Sequence, residues 1–425
     1  MKEHPQPLRN RTVWAWVAGC YVFQALPAAV RDEALPVALR NLGSADAGIT
    51  QIQSMLGLIF GFKVLMAPFI AAFRPRPLIL ATQAATALLL LFAGLALPDL
   101  AQSGGAMVVA CLVALSVVAA AHDFTLDGYF VSSLDEQARA RHSGLLNVAS
   151  KVGSVLAGPC LIGLAGLLMH RGQQVAAAWS TALLAAAAFA LLAVLVNLWA
   201  LRGEPSHESD GMDVRGRFRA MGLGLGELFR DPRLPAVAAL ILLYRASEIH
   251  MSRVLPLYSL APVDKGGLAL DNETYALIRM ITAVGGLAAG GVVGSLVVTR
   301  LGIARSLVPL GLAMHAPLLA VTWLASGSGH GVWTVGIVFL IEYVAYGAGL
   351  CALLLAMMKL AAGSSAAVRY AALSTLALLA AYLPGLWAGK LAERWGYADY
   401  FLFSLALALP GMAVAYWARR HFRSE

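Results

Sequence analysis

The stretch AMVVACLVALSVVAAAHDFTLDGY, residues 106 to 129, decides the class of fold. Its apolar first part reads as helix entering a bilayer, whose hydrocarbon core takes about 20 residues to cross. Its second part places Asp123 and Asp127 inside the same run, and residues four apart stack on one face of an α-helix. A lone charge at the bilayer centre costs about 2.5–3.5 kcal/mol on insertion scales. A segment built this way belongs to a membrane protein with a polar interior.

Composition extends this to the whole chain. Of 425 residues, 60% are hydrophobic and only 13% charged, against about 25% charged in soluble domains; the mean hydropathy is +0.74. Abundant Gly and Ala fit helices that approach closely through small residues. The alternating segments of about ten residues that a membrane β-barrel needs are absent. Cys20, Cys111, Cys160 and Cys351 lie in apolar runs without metal-ligand spacing, so we expect packing residues, no metal and no cofactor. The net charge of +8 is spread over short loops and not over an aromatic-rich polar surface, which argues against nucleic acid. MKEHPQPLRNR resembles the start of a signal peptide, but the many spans that follow favour an uncleaved first helix.

Apolar runs predict about twelve helices, over 13–38, 49–72, 78–98, 106–134, 142–169, 175–201, 235–260, 273–299, 304–325, 332–359, 370–391 and 400–418. With the amino terminus inside, about twenty Lys and Arg fall in inner loops, from Lys2 through Arg74, Arg139, the 215–233 run, Arg300, Arg305 and Lys359 to Arg423. Arg40, Arg171, Lys265, Lys390 and Arg394 fall outside. By the positive-inside rule both termini are expected in the cytoplasm. The longest loop, 202–234, divides the spans into a half at 1–201 and a half at 235–425. Within it VRGRFRAMGLGLGELF (214–229) reads either as a helix on the inner membrane surface or as a flexible linker. An all-α protein with six spans, a cytoplasmic loop and six more has the layout of a major facilitator transporter, in which two halves rock around a midplane site.

Arg31, Lys63, Lys151, Arg245, Arg253 and Arg279 fall inside predicted helices, as do Asp32, Glu33, Asp123, Asp127, Glu248 and Glu342. Such groups pair or face a watery cavity. Asp123 and Asp127 are either fasteners, paired with Lys63 or Lys151, or proton carriers: close carboxylates in a dry site repel when both are ionised, so one can hold a proton and exchange it. His122 either assists or packs. Arg245 and Glu248, three apart, form a local salt bridge, or Arg245 or Arg253 clamps an anionic substrate with its guanidinium fork. Glu342 meets a partner such as Arg279 or is a second protonation site. Arg31, Asp32 and Glu33 line the outer mouth or end the first helix before a re-entrant LPVAL segment. No Walker-type glycine loop, metalloprotease or serine-hydrolase motif is present, so coupling is expected from an ion gradient.

FKVLMAP (62–68), LATQ (80–83), AHDFTLDGY (121–129), LLYRASE (242–248), RYAALS (369–374) and FLFSLALALPG (401–411) resemble, in order, the AmpG-like permeases of the major facilitator superfamily. The resemblance implies proton-linked import across a bacterial inner membrane and functional weight on Lys63, Asp123 and Asp127. AmpG carries a muropeptide, an anhydro-sugar joined to a short peptide. The opening YVFQALPAAVRDEALPVALRNLG (21–43) is more similar to the siderophore permeases of the same branch. One departure is AAFRPRP (71–77), where the superfamily usually has an Asp in the loop that latches the inward gate.

The expectation is therefore a multi-pass permease in a lipid bilayer, a monomer, importing a bulky polar or anionic cargo, muropeptide or siderophore, with protons. Asp123, Asp127 and Glu342 are the candidate proton groups. Lys63, Lys151, Arg245, Glu248, Arg253, Arg279 and Arg31 are the candidate cavity and substrate groups. A non-transporting receptor or scaffold is the alternative, and a membrane-embedded enzyme a more distant one.

Overall fold

The computed structural model describes residues 10–422 apart from 62, 71–72, 100–103, 135, 202–213, 328 and 364. The amino-terminal MKEHPQPLR segment and the first part of the central loop lie outside the described residues, as do Lys2, Arg9, Arg202 and Arg423 of the charge bias. The helices are α1 (Asn10–Ala29), α2 (Leu35–Asn41), α3 (Asp46–Gly61), α4 (Lys63–Ile70), α5 (Pro75–Ala96), α6 (Gly105–Ser133), α7 (Glu136–Ala157), α8 (Pro159–His170), α9 (Val175–Ala200) and α10 (Val214–Arg230). There follow α11 (Leu234–Leu243), α12 (Ala246–Leu260), α13 (Asn272–Ile281), α14 (Leu287–Ser326), α15 (Val332–Ala361), α16 (Ala366–Tyr382), α17 (Gly385–Trp395), α18 (Tyr397–Ala406) and α19 (Ala408–Ala418). Among the described residues there is no strand. Lipid offers backbone groups no hydrogen bonds, so a spanning segment must satisfy its own, and a helix does.

Among the described residues, ten stretches are long and apolar enough to span. One of them, Asn272–Ser326, has 55 residues, far more than one crossing needs. Gly302 breaks it, with φ 73 and ψ 165; that positive φ is open to glycine and strained for other residues. The stretch is thus two crossings joined by a tight bend. Together with α3 and α4, this gives about twelve spans in an all-α membrane fold.

Two local expectations need correction. Arg31, Asp32 and Glu33 do not end the first helix: they sit in a wide π-helical turn, Val30–Ala34, from which α2 continues to Asn41. LPVAL is therefore helix and not a re-entrant loop. The predicted seventh helix is broken at Arg245, whose φ of −107 and ψ of 5 separate α11 from α12. The 214–229 segment is helical, as α10. Of the cysteines, Cys20 and Cys111 are buried and Cys160 is exposed.

The described chain forms two compact units. One takes the chain up to Leu35 and again Ile59–Arg219; the other takes Pro36–Leu58 and the chain from Ala220 onward. In the first, α1 packs on α7 and α9, and α5 on α6 and α9. Trp16, Tyr21, Ile79, Leu126 and Tyr129 form part of its core, with the Trp16 and Tyr129 rings edge to face at 5.0 Å. In the second, α14 lies along α15. A Cβ on Gly290 would run into the Val344 carbonyl oxygen of α15, so glycine sets that close approach. Lipid is as apolar as leucine, so van der Waals contact at such small-residue faces supplies much of the association between spans.

The second unit includes a segment from early in the sequence. Asp46, at the start of α3, binds Arg40 at 2.5 Å and accepts from the Tyr397 hydroxyl at 2.6 Å. The Ala47 N–H donates to Glu393 at 2.9 Å, so a carboxylate on α17 satisfies a free donor at the α3 amino terminus. Asn41 and Asn272 exchange amide hydrogen bonds of 3.3 and 2.7 Å.

Candidate functional site

In the first unit the polar centre is built on α6, α1 and α4. Asp123 on α6 binds the Lys63 ammonium at 2.5 Å and also accepts from the Gln24 amide of α1. One turn along α6, Asp127 accepts from the Tyr21 hydroxyl at 3.2 Å and is exposed. The two acids share a helix face yet have different surroundings: Asp123 binds the Lys63 ammonium directly, whereas Asp127 lies in the field of Lys63 with the Tyr21 phenol and the Gln24 amide beside it and an exposed side. The Phe60 ring lies 5.2 Å from the Lys63 ammonium and 5.0 Å from the Arg31 guanidinium, within cation–π range of both. Arg31 is buried and makes a two-pronged bond to Asp32, at 3.1 and 2.7 Å.

His122 points to the other side of α6. It is buried against Gln83 at 3.2 Å, and Gln83 accepts from Asn197 at 3.1 Å, so this histidine belongs to a buried amide network. Lys151 is exposed on α7 and lies in the field of Glu33. Glu33 accepts from Ser154 at 3.4 Å.

The second unit holds a separate cluster where α11 breaks into α12. At the break Arg245 meets two side chains at once. It donates to Glu248 at 3.1 and 2.9 Å, donates to the Tyr346 hydroxyl at 3.1 Å, and stands 4.9 Å above that ring. Glu342, one turn before Tyr346 on α15, is buried in the combined field of Glu248, Arg279 and Arg245. Arg279, in the last turn of α13, stacks 4.8 Å above Tyr343. The structure thus brings Arg245, Glu248, Arg279 and Glu342 together. Arg253 is occupied elsewhere: it donates to the Ala381 carbonyl at 3.1 Å and stacks 4.4 Å above Tyr382. His250 and His315 each place Nδ1 on a backbone carbonyl, of Ala246 and Gly311, at 2.9 and 2.8 Å. A carbonyl only accepts, so in both rings Nδ1 carries the proton.

Sequence reasoning missed the aromatic and amide shell: Tyr21, Gln24, Phe60, Tyr343, Tyr346 and Tyr382. A signal was present for two of them, since Tyr21 and Gln24 stand three apart on α1. The arrangement offers fixed guanidinium groups with aromatic walls for an anionic organic cargo, and carboxyls able to take up a proton.

The sequence pattern of the family described as the Major Facilitator Superfamily matches residues 19–383. The chain belongs to the Major Facilitator Superfamily. It is a multi-pass membrane transporter and not an enzyme. Relatives of this superfamily member include an uncharacterised protein of Haemophilus influenzae, 26% identical over 92% of this chain and 91% of that protein. The anhydromuropeptide permease of Escherichia coli K12 is 23% identical over 84% of this chain and 70% of the permease. Among solved structures, a bacterial homologue of the human lysosomal transporter Spinster matches with a TM-score of 0.70 at 14% identity, covering 99% of both chains. A POT family transporter in complex with 5-aminolevulinic acid matches with a TM-score of 0.69 at 14% identity, covering 96% and 97%. At these identities the structural matches speak for the fold alone.

Proposed function

We propose that this superfamily member is a proton-driven importer of a bulky anionic sugar–peptide conjugate of the anhydromuropeptide class, working in a bacterial inner membrane with both termini in the cytoplasm. The observation that carries the proposal is the unequal pair on α6. Asp123 is neutralised by Lys63, whereas Asp127, one turn away, is exposed beside a phenol. An acid in that position can load and release a proton without dismantling the ion pair. Glu342 is the second proton group, and Arg245 and Arg279, with their tyrosine partners, contact the cargo's acidic groups. The relative named anhydromuropeptide permease supports this cargo class. The likeness of residues 21–43 to siderophore permeases supplies the competing cargo.

The test is uptake into proteoliposomes, with labelled anhydromuropeptide and a ferric siderophore in parallel arms, with and without an inward proton gradient. We expect gradient-driven accumulation of the unaltered muropeptide. Asp127→Asn should abolish accumulation while keeping exchange of cargo across the membrane and normal protein levels. Accumulation by the Asn variant would remove Asp127 from coupling. Gradient-driven uptake of the siderophore alone would replace the cargo, and saturable binding without flux would make the protein a receptor.

A further inference from the structure

We infer that Gln24 on α1 is a positioning residue of the proton site: its amide ties the proton state of Asp127 to the Asp123–Lys63 pair. The inference rests on the reading of Asp127 as the proton carrier, and it names the group through which that carrier acts on its neighbours.

The geometry puts one amide between two acids. Gln24 donates to Oδ1 of Asp123, whose Oδ2 takes the Lys63 ammonium, so both oxygens of this acid are engaged. The same amide hydrogen-bonds Asp127. An amide nitrogen of this kind carries two N–H donors, which lets Gln24 serve both carboxylates at once. Asp127 also accepts from the Tyr21 hydroxyl, at 3.2 Å. Tyr21 and Gln24 stand three apart on α1 and so share a face. The groups that act most on Asp127 are thus Asp123 on its own helix, Lys63 on α4 and these two residues of α1.

An ionised carboxylate only accepts hydrogen bonds, whereas a protonated one carries an O–H that donates. When Asp127 takes a proton, an acceptor must therefore stand where a donor stood. The Tyr21 hydroxyl can turn to supply one, and so can the Gln24 carbonyl oxygen, but the Gln24 nitrogen cannot. Gln24 then reorients, and the hydrogen bond it gives to Asp123 changes with it. Proton uptake at one acid is felt at the Lys63 pair one turn away, while Lys63 stays bound. A donated hydrogen bond also favours the ionised form of a carboxyl, so Gln24 helps Asp127 to release its proton. An apolar side chain of the same length fills the space and does neither.

The experiment is an infrared pH titration of the purified full chain in detergent, which needs no cargo. The protonated-carboxyl band lost in Asp127→Asn belongs to Asp127, and the carboxylate band lost in Lys63→Met/Asp123→Asn belongs to Asp123. We expect Gln24→Met to move the midpoint of the Asp127 band upward by about one pH unit, a tenfold gain in proton affinity. Tyr21→Phe should move it the same way. In wild type the Asp123 band should shift as Asp127 titrates; Gln24→Met should remove most of that shift, and Tyr21→Phe should keep it. Counterflow of labelled anhydromuropeptide, measured without a gradient, should decline at alkaline pH, and in Gln24→Met that decline should start about one unit higher. An unmoved Asp127 midpoint in Gln24→Met, or an Asp123 shift that survives the substitution, overturns the role of Gln24 and makes it a packing residue. If no band disappears in Asp127→Asn, the reading of Asp127 as the proton carrier fails, which is a separate outcome.

Discussion

Removing Lys63 leaves Asp123 without its cation, and an unpaired carboxylate within a span is costly. The pair is 20% and 16% exposed, so the loss should fall below the 3–5 kcal/mol typical of fully buried pairs, at about 2–3 kcal/mol. Lys63→Met should therefore lower thermal stability by that amount, and Lys63→Arg should keep most of it. The neutral double variant Lys63→Met/Asp123→Asn should recover stability in a detergent melt yet stay inactive in uptake; uptake at the wild-type rate would reduce the pair to a fastener. Asp231, in the turn before α11, offers a second test. The Arg233 side chain, donating to it, holds its carboxyl below the usual carboxylate range, aided by the Arg233 backbone N–H and by Arg369, against some desolvation. A carboxyl depressed in the fold contributes stability above its unfolded value of about 3.9, and that contribution is lost as pH falls through the folded value. Asp231→Asn should thus cost about 1 kcal/mol at pH 7, modest because Arg233 is a third exposed. The gap to wild type should close in melts below about pH 4; a gap that persists there would assign the loss to something other than the charge. At this scale the titratable members of both clusters were legible in the sequence, because a charge in an apolar run stands out. Phe60 and Tyr346 were not, since an aromatic in such a run is indistinguishable from packing until its cation is placed above it.

Among the elements, α14 and α15 depend on each other most visibly. Their approach is set at Gly290, where a Cβ meets the Val344 carbonyl oxygen, whereas at the adjacent Gly291 a Cβ meets open space. Gly290→Ala should force the helices apart and destabilise by about 1–3 kcal/mol, the cost of overpacking. It should also shift Glu342 and Tyr343 of α15 relative to Arg279, lowering the initial rate of uptake. Gly291→Ala should be neutral or stabilise by up to about 1 kcal/mol, since alanine is the better helix former. Equal effects of the two substitutions in parallel melts would mean that helix propensity, and not contact across the interface, decides. Both glycines were visible in the sequence as small residues four and five positions beyond Gly286, but which one faces α15 depends on helix phase, and the π-helical turn at Thr282–Gly286 shifts that phase. The same holds at Arg31, where a π turn lies within the first span and a helix end was one of the two readings, and at Arg245, where a break replaced a continuous span. Hydropathy measures how long a segment stays apolar, and it is blind to one residue of extra winding.

For the molecule as a whole, the order of residues along the chain and the division into packed units do not coincide. Charge and hydropathy locate a long central loop, and on that basis we propose halves at 1–201 and 235–425. By packing, however, Pro36–Leu58 joins the unit formed by the later chain. Ile49 is buried in the apolar core of that unit, and the polar contacts that hold the segment there lie at chain ends that hydropathy reads as loops: Asp46 with Arg40 and Tyr397, the Ala47 N–H with Glu393, and the Asn41–Asn272 amide pair. If transport proceeds by one half rocking against the other, this first-half segment must part from α13 and α17 once in every cycle. A reversible link across it should then stop turnover. In a variant free of the four native cysteines, Asn41→Cys/Asn272→Cys joined by a short bifunctional thiosulfonate should bind cargo and fail to transport it, and reduction of the link should restore uptake. Each single cysteine treated with the same reagent should transport normally, which separates the link from modification alone. Undiminished uptake by fully linked protein would mean that Pro36–Leu58 travels with the second unit throughout the cycle, and that the moving boundary lies where the packing divides the chain, at Leu35 and Ile59, and not at the central loop.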